Sequence, residues 1–142
     1  MKQAQKRGKR NKTGAIGEYL AESYLKKKGF LILDTNYLKK WGEIDIVARE
    51  TMNNKVIIHF VEVKTVSYET KHALQEAVSH GTWRPEDNVH YAKLQRLRRT
   101  IETWIEEKGR EDMSWQIDVA AIRVVPRERY ATIKIIDNVI IE

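Results

Sequence analysis

With 142 residues, 42% hydrophobic and 32% charged, the chain is long enough for one domain with a real core and too apolar to be disordered. It has no cysteine, which excludes disulfides and thiolate metal sites, and its 26 Lys and Arg against 20 Asp and Glu leave a net charge of +6 that favours polyanionic partners. No apolar run is long enough for a bilayer, and no apolar stretch follows the basic N-terminus, so neither membrane contact nor a signal peptide is expected and the cytoplasm is the default.

Residues 1–12 carry Lys2, Lys6, Arg7, Lys9, Arg10 and Lys12 without an acid. They read as a basic flexible tail, suited equally to solubility and to phosphate contact. Thr13 is the expected N-cap of a helix over residues 13–28, with Ile16, Leu20, Ala21, Tyr24 and Leu25 facing inward. Glu18 falls about 20° from Leu25 on the helical wheel, at the border of the buried arc. Gly14 and Gly17 flank that side and permit close approach of backbone or substrate. Cations at Lys26, Lys27 and Lys28, then Gly29, end the helix.

A first strand starts at residues 30–33, and Asp34, Thr35 and Asn36 either continue or break it. Lys39, Lys40 and Trp41 lead to a turn at Gly42. Strands over residues 43–49 and 55–66 follow, joined through Asn53 and Asn54, which tolerate the positive φ of a tight hairpin. A turn there sets the register. Asp45 faces Glu62 at about 5 Å between Cβ atoms, with Glu43 and Lys64 on the same face. The second strand is apolar on both faces, as a central strand covered on both sides should be.

Facing carboxylates on an apolar background repel each other unless a cation joins them. A hard divalent ion such as Mg²⁺ or Mn²⁺ suits oxygen ligands, and a lysine nearby would orient water or hold a phosphate oxygen. This is equipment for phosphodiester hydrolysis. The same residues also make a buried ion-pair network with no catalytic role. Adjacent carboxylates would oppose a lowered pKa at Lys64, which favours a water-orienting role over that of a free base.

Further along, a short helix is expected over residues 72–80, with Gln75 and Glu76 at its start facing the site. A loop over residues 81–88 contains Trp83, Arg84 and Pro85. A long helix over residues 89–108 has the apolar stripe Tyr91, Leu94, Leu97, Ile101, Trp104 and Ile105, with Lys93, Arg96 and Arg99 on another side, placed to meet a phosphate backbone. Strands are expected over residues 115–124 and 131–136, with residues 139–141 a further extension. Asp118, in an apolar run, is read as structural. The four histidines lack zinc spacing.

Asp45 followed by Glu62-Val63-Lys64 resembles the PD-(D/E)xK nuclease core. The fuller set resembles the YraN-like family of bacterial endonuclease-like proteins. That set comprises Gly14-x-x-Gly17-Glu18, Ala21, Tyr24-Leu25, Gly29-Phe30, Gly42-Glu43-Ile44-Asp45, Phe60-Val61-Glu62-Val63-Lys64-Thr65, Glu76-Ala77-Val78 and Asp118-Val119-Ala120-Ala121-Ile122. The resemblance implies an α/β fold with a restriction-endonuclease-like core, a central mixed sheet flanked by helices in a single domain over residues 13–142. It implies a metal-dependent endonuclease with Asp45, Glu62 and Glu18 as ligands of Mg²⁺ or Mn²⁺ and Lys64 beside the attacking water. Lys93, Arg96, Lys39, Lys40 and Gln75 become candidates for contacting DNA. Analogy with resolvases suggests branched or flapped DNA and a homodimer. The competing expectation is a non-cleaving nucleic-acid-binding module of a DNA-processing complex.

Overall fold

The first helix, α1, spans Lys2–Lys27. It starts upstream of Thr13, which sits inside the helix and does not cap it. Lys, Arg and Gln are good helix formers, and the single Gly8 in this stretch does not end a helix. The computed structural model describes residues 2–81, 91–109 and 113–139, with side chains from Lys12 onward, Tyr91 excepted. At its C-terminus α1 closes in a Schellman turn. Phe30 N–H donates to Leu25 O and Gly29 N–H to Lys26 O, each at 3.0 Å, with Gly29 at φ 93°. The turn sends Phe30 back into the cluster that holds Leu25.

Strand β1 spans Leu31–Lys39 and pairs antiparallel with β2, Gly42–Met52. It passes through Asp34, Thr35 and Asn36, with a register shift between Ile32 and Asp34 and a left-handed Asn36 at φ 51°. Strand β3, Lys55–Ser67, returns through Asn53 (φ 51°) and Asn54 (φ 66°). Its pairing with β2 runs from Ile46↔Val61 to Met52↔Lys55, the register expected from the Asn-Asn turn. Helix α2, Lys71–Ser79, is capped by Thr70, whose Oγ1 accepts the Ala73 N–H at 3.0 Å. Helix α3 spans Tyr91–Lys108, β4 Ser114–Val125 and β5 Tyr130–Ile136, with a 3₁₀ turn at Pro126–Glu128. Trp83, Arg84, Pro85 and residues 140–141 lie outside the described residues.

The sheet order is β1-β2-β3-β4-β5. Only β3 and β4 are parallel, because α2 and α3 carry the chain across between them. Helix α1 covers one face through Ala21 and Leu25, packed with Ile46, Ala48, Val61 and Ile122. Helix α3 covers the other through Leu97, Ile101 and Trp104, packed with Tyr37, Ile44, Val47 and Phe60. The architecture is the helix-flanked mixed sheet expected of a restriction-endonuclease-like core. No helix among the described residues is long and apolar enough to cross a membrane.

Two close approaches pin the layers. A Cβ at position 17 would stand 1.8 Å from Thr65 Oγ1, so Gly17 is what lets α1 lie against β3. At the far end of β3, buried His59 ties three strands. Its Nδ1 meets Asp118 Oδ2 at 2.6 Å and its Nε2 meets Glu50 Oε1 at 2.9 Å. With a carboxylate at each ring nitrogen, both nitrogens donate and the ring is a cation. Burial opposes that charge, but the bonds to Asp118 and Glu50 outweigh it and raise the His59 pKa. Asp118 also accepts from Gln116 Nε2 at 2.8 Å and Asn138 N–H at 3.0 Å. Burial works against its ionised form, yet His59 and these donors hold its pKa below the usual range. Asp118 thus serves the sheet, in line with its structural reading.

Replacing Gly17 with Ala is expected to destabilise the fold by about 1–3 kcal/mol in urea unfolding. Gly14→Ala, which meets no neighbour within 4 Å, should be neutral or stabilising. The His59 cation contributes stability that is full below its ordinary pKa of 6.5 and is lost as pH rises through the raised value. The Asp118 contribution is full above 3.8 and is lost as pH falls. Thermal melts should therefore show Tm declining as pH rises above the ordinary histidine value of 6.5, with a flatter profile in His59→Gln.

Candidate active site

The β2–β3 ladder ends at Ile46↔Val61, and the site begins one residue beyond. There Asp45 Oδ2 accepts the Val63 N–H at 2.8 Å. A side-chain oxygen takes the place of a ladder carbonyl, so the strands can part without orphaning that donor. On its other side Asp45 stands across from Asn36, between the pairs Thr35↔Ile46 and Tyr37↔Ile44. The sheet turns over at this point. Ile44 packs under α3, whereas Ile46 packs under α1, although residues two apart share a face in a regular strand.

This turn brings three acids together. One carboxylate oxygen from each of Glu18 on α1 and Glu43 and Asp45 on β2 lies within 4.8 Å of the others. Burial raises the Asp45 pKa well above the usual range, and Glu62, Glu18 and Glu43 raise it further; the Val63 N–H opposes them. Burial and Glu43 raise Glu18 as well, against a stabilising hydrogen bond from the Asn36 side chain.

Glu62, 6% exposed in the centre of β3, is satisfied by two lysines. Lys93 Nζ from α3 lies 2.7 Å from Oε1, and Lys64 Nζ lies 3.2 Å from the same oxygen. Burial lowers the Lys64 pKa, Lys93 lowers it further, and the pull of Glu62 does not make up the difference. Lys93 moves the other way: burial opposes its charge, and Glu62 raises it. The sequence argument that carboxylates would keep Lys64 high is corrected here, because it left Lys93 out. With Lys93 on Glu62, the second lysine is the easier one to deprotonate.

A cleft of about 260 Å³ opens over these groups, lined by Gly42, Glu43, Asp45, Glu62, Lys93, Arg96 and Leu97. Gly42 makes the cleft narrow. A Cβ there would stand 2.5 Å from Thr100 Oγ1 and 3.1 Å from Arg96 O, so glycine lets α3 close on the hairpin. Of the residues considered for nucleic-acid contact, Lys93 and Arg96 line this cleft. Lys40 is exposed in the β1–β2 turn. Lys39 is drawn away to Glu107 at 2.8 Å and the Tyr37 ring at 5.1 Å. Gln75 lines a separate hollow with Leu74, Val78, Arg123 and Ile133, so it does not share the cleft. The Trp41 ring is covered by the Arg99 guanidinium at 4.4 Å.

The sequence analysis placed Glu43 on the face of Asp45 but left it out of the ligand set, and gave Asn36 no role at the site. The available signal for Asn36 was the weak strand-forming run Asp34-Thr35-Asn36 inside an otherwise apolar strand.

A model of the family described as "Uncharacterised protein family UPF0102" matches residues 17–122. A UPF0102 protein of Alkaliphilus oremlandii is 37% identical over 119 residues, 82% of this chain and 89% of that protein. One from Alkaliphilus metalliredigens is 36% identical over 116 residues, 82% of this chain and 88% of that protein. One from Mycobacterium ulcerans is 33% identical over 115 residues, 81% and 84% of the two chains. The family match spans Glu18, Asp45, Glu62, Lys64 and Lys93. The chain belongs to the UPF0102 family, the YraN-like family that its motifs resemble.

Proposed function

We propose that this protein is a metal-dependent endonuclease that hydrolyses phosphodiester bonds in DNA. The observation that carries the reading is the carboxylate set Glu18, Glu43 and Asp45, converging within 4.8 Å beside buried Glu62 and Lys64. Burial and the neighbouring acids raise the pKa values of Asp45 and Glu18, so a cation there would relieve both. Their oxygens are hard donors, and the set fits Mg²⁺ or Mn²⁺. Glu18 and Asp45 would hold the ion, with Glu43 and Glu62 beside them. Such an ion would supply Lewis acidity toward the phosphoryl oxygens and a more acidic water.

The remaining work falls to the chain itself. Val63 N–H fixes one oxygen of Asp45 and so orients the carboxylate. Glu62 holds the Lys64 ammonium 3.2 Å from its Oε1. Lys64, with its pKa lowered by burial and by Lys93, would orient the attacking water and release its proton more readily than an ordinary lysine. Arg96 and Lys93 on the cleft wall would meet the phosphate backbone. Branched or flapped DNA and a dimer that offers two clefts to it belong to the same proposal.

A second reading has its own observation. Two lysines already satisfy Glu62, which is also how a non-cleaving nucleic-acid-binding module would stabilise an ion-pair core. Labelled single-stranded, duplex, flap and four-way-junction DNAs, incubated with Mg²⁺ or Mn²⁺, separate the two. The nuclease cuts at least one of them, Glu62→Ala abolishes cutting, and Lys64→Met slows it by about 100-fold or more. Salt-dependent binding without cutting, unchanged in Glu62→Ala, selects the binding module.

A further inference from the structure

We propose that the hollow between α2 and strands β4 and β5 is a phosphate-binding site that takes a nucleotide, with Arg123 as its main cation. It encloses about 420 Å³, and its wall carries two cations, Arg123 and Lys134, with Gln75, Ser79 and Thr132 as neutral polar groups. No carboxylate lines it, and apolar side chains such as Leu74 and Val78 make up the rest. A few polar groups on an apolar wall suit a small ligand with a flat apolar body.

Strand register brings the two cations together. Thr132 stands across from Arg123, and Lys134 across from Ala121. Opposed residues share a face, and so do residues two apart, so Arg123, Thr132 and Lys134 lie on one face. Ile122, Ile133 and Ile135 pack on the α1 face, which makes this the other one. Like charges on neighbouring strands disfavour folding unless something negative joins them. Among the described residues no carboxylate pairs with Arg123, whereas Arg127 meets Glu69 at 3.7 Å. Glu76, the acid of α2, lies with His72 and His80 instead. The Arg123 Nε is buried with no hydrogen-bond partner, between the buried residues Ile122 and Val124. The stem of the side chain is thus sunk in the sheet while the residue borders the hollow. An unmet donor beside an unpaired charge is a cost that packing does not explain. A phosphate would answer it, because a guanidinium meets phosphate oxygens through two parallel hydrogen bonds. The same face carries Lys64, which stands across from Ala121 on the side away from Lys134. Two strand spacings, about 10 Å, separate the two lysine positions. The phosphate therefore comes either from a free nucleotide or from a strand that also reaches the cleft.

Arg123→Met keeps an apolar stem and removes the charge. In the full chain without divalent ions, its Tm should hold or rise. Its Kd for AMP, by calorimetry, should weaken about 10-fold, as expected for one charge-assisted contact. Lys134→Met, at an exposed residue, should weaken binding in the same direction, and decides the matter should Arg123→Met unfold. Arg98→Gln removes an equal charge from α3 and should change nothing. Anisotropy of a labelled oligonucleotide identifies the source. For a free-nucleotide site, Arg123→Met weakens AMP alone. For a strand site it also weakens the oligonucleotide and lowers the salt slope by about 1. Either result upholds the site. A wild type that binds neither ligand overturns it, as do unchanged affinities for both ligands in Arg123→Met, or the same loss in Arg98→Gln. None of these readouts needs a metal or cutting, so failure here leaves the nuclease reading standing.

Discussion

A glutamate in the middle of a central strand is an expensive residue. Glu62 lies between Val61 and Val63 with almost no solvent contact, and an uncompensated charge there would cost several kcal/mol. The structure around it answers that cost. Lys64 comes from the same strand and Lys93 from α3. For Lys93 to reach, α3 must lie close to the hairpin, and Gly42 gives it room beside Thr100 and the Arg96 carbonyl. The cluster of Phe60, Leu97, Ile101 and Trp104 then holds the helix at that distance. One buried charge thus constrains a helix position, a glycine and the composition of a core.

The two halves of β3 solve mirror-image problems. At one end a histidine cation sits between carboxylates from β2 and β4. At the other a carboxylate sits between two lysines. Each arrangement pairs a buried charge locally, so each reads as stabilising. The acids of α1 and β2 are arranged differently. Burial raises the pKa values of Glu18 and Asp45, their acidic neighbours raise them further, and the hydrogen bond from Val63 relieves Asp45 only in part. A cluster left with excess negative charge, next to networks that are balanced, is a place where function and not folding set the residue types.

Much of this is legible in the sequence. The Asn-Asn turn fixed the hairpin register, because a two-residue turn leaves a single pairing in which the apolar residues point inward. The α3 stripe and the doubly apolar β3 followed from periodicity. What was not legible depended on contacts between elements distant in sequence. Lys93 is 31 residues from Glu62, and nothing local distinguishes a lysine that reaches a buried acid from one that faces a phosphate. Gln75 was assigned to the site by its place at the start of a helix, but α2 turns it toward β4 and β5. Asn36 hid in a run that resembles a strand end, because a left-handed residue in mid-strand leaves only a loss of strand propensity in the sequence.

The irregularity of β1 has a consequence for assembly. β1 is an edge strand of the sheet, and Leu31, Leu33 and Leu38 expose apolar surface along it. A flat apolar edge invites another chain to add a strand. Here the extra residue near Leu33 and the left-handed Asn36 interrupt the row of backbone donors and acceptors twice in nine residues. The edge is therefore a poor template for strand addition. The irregularity beside the acidic cluster thus also protects this edge of the sheet from an added strand.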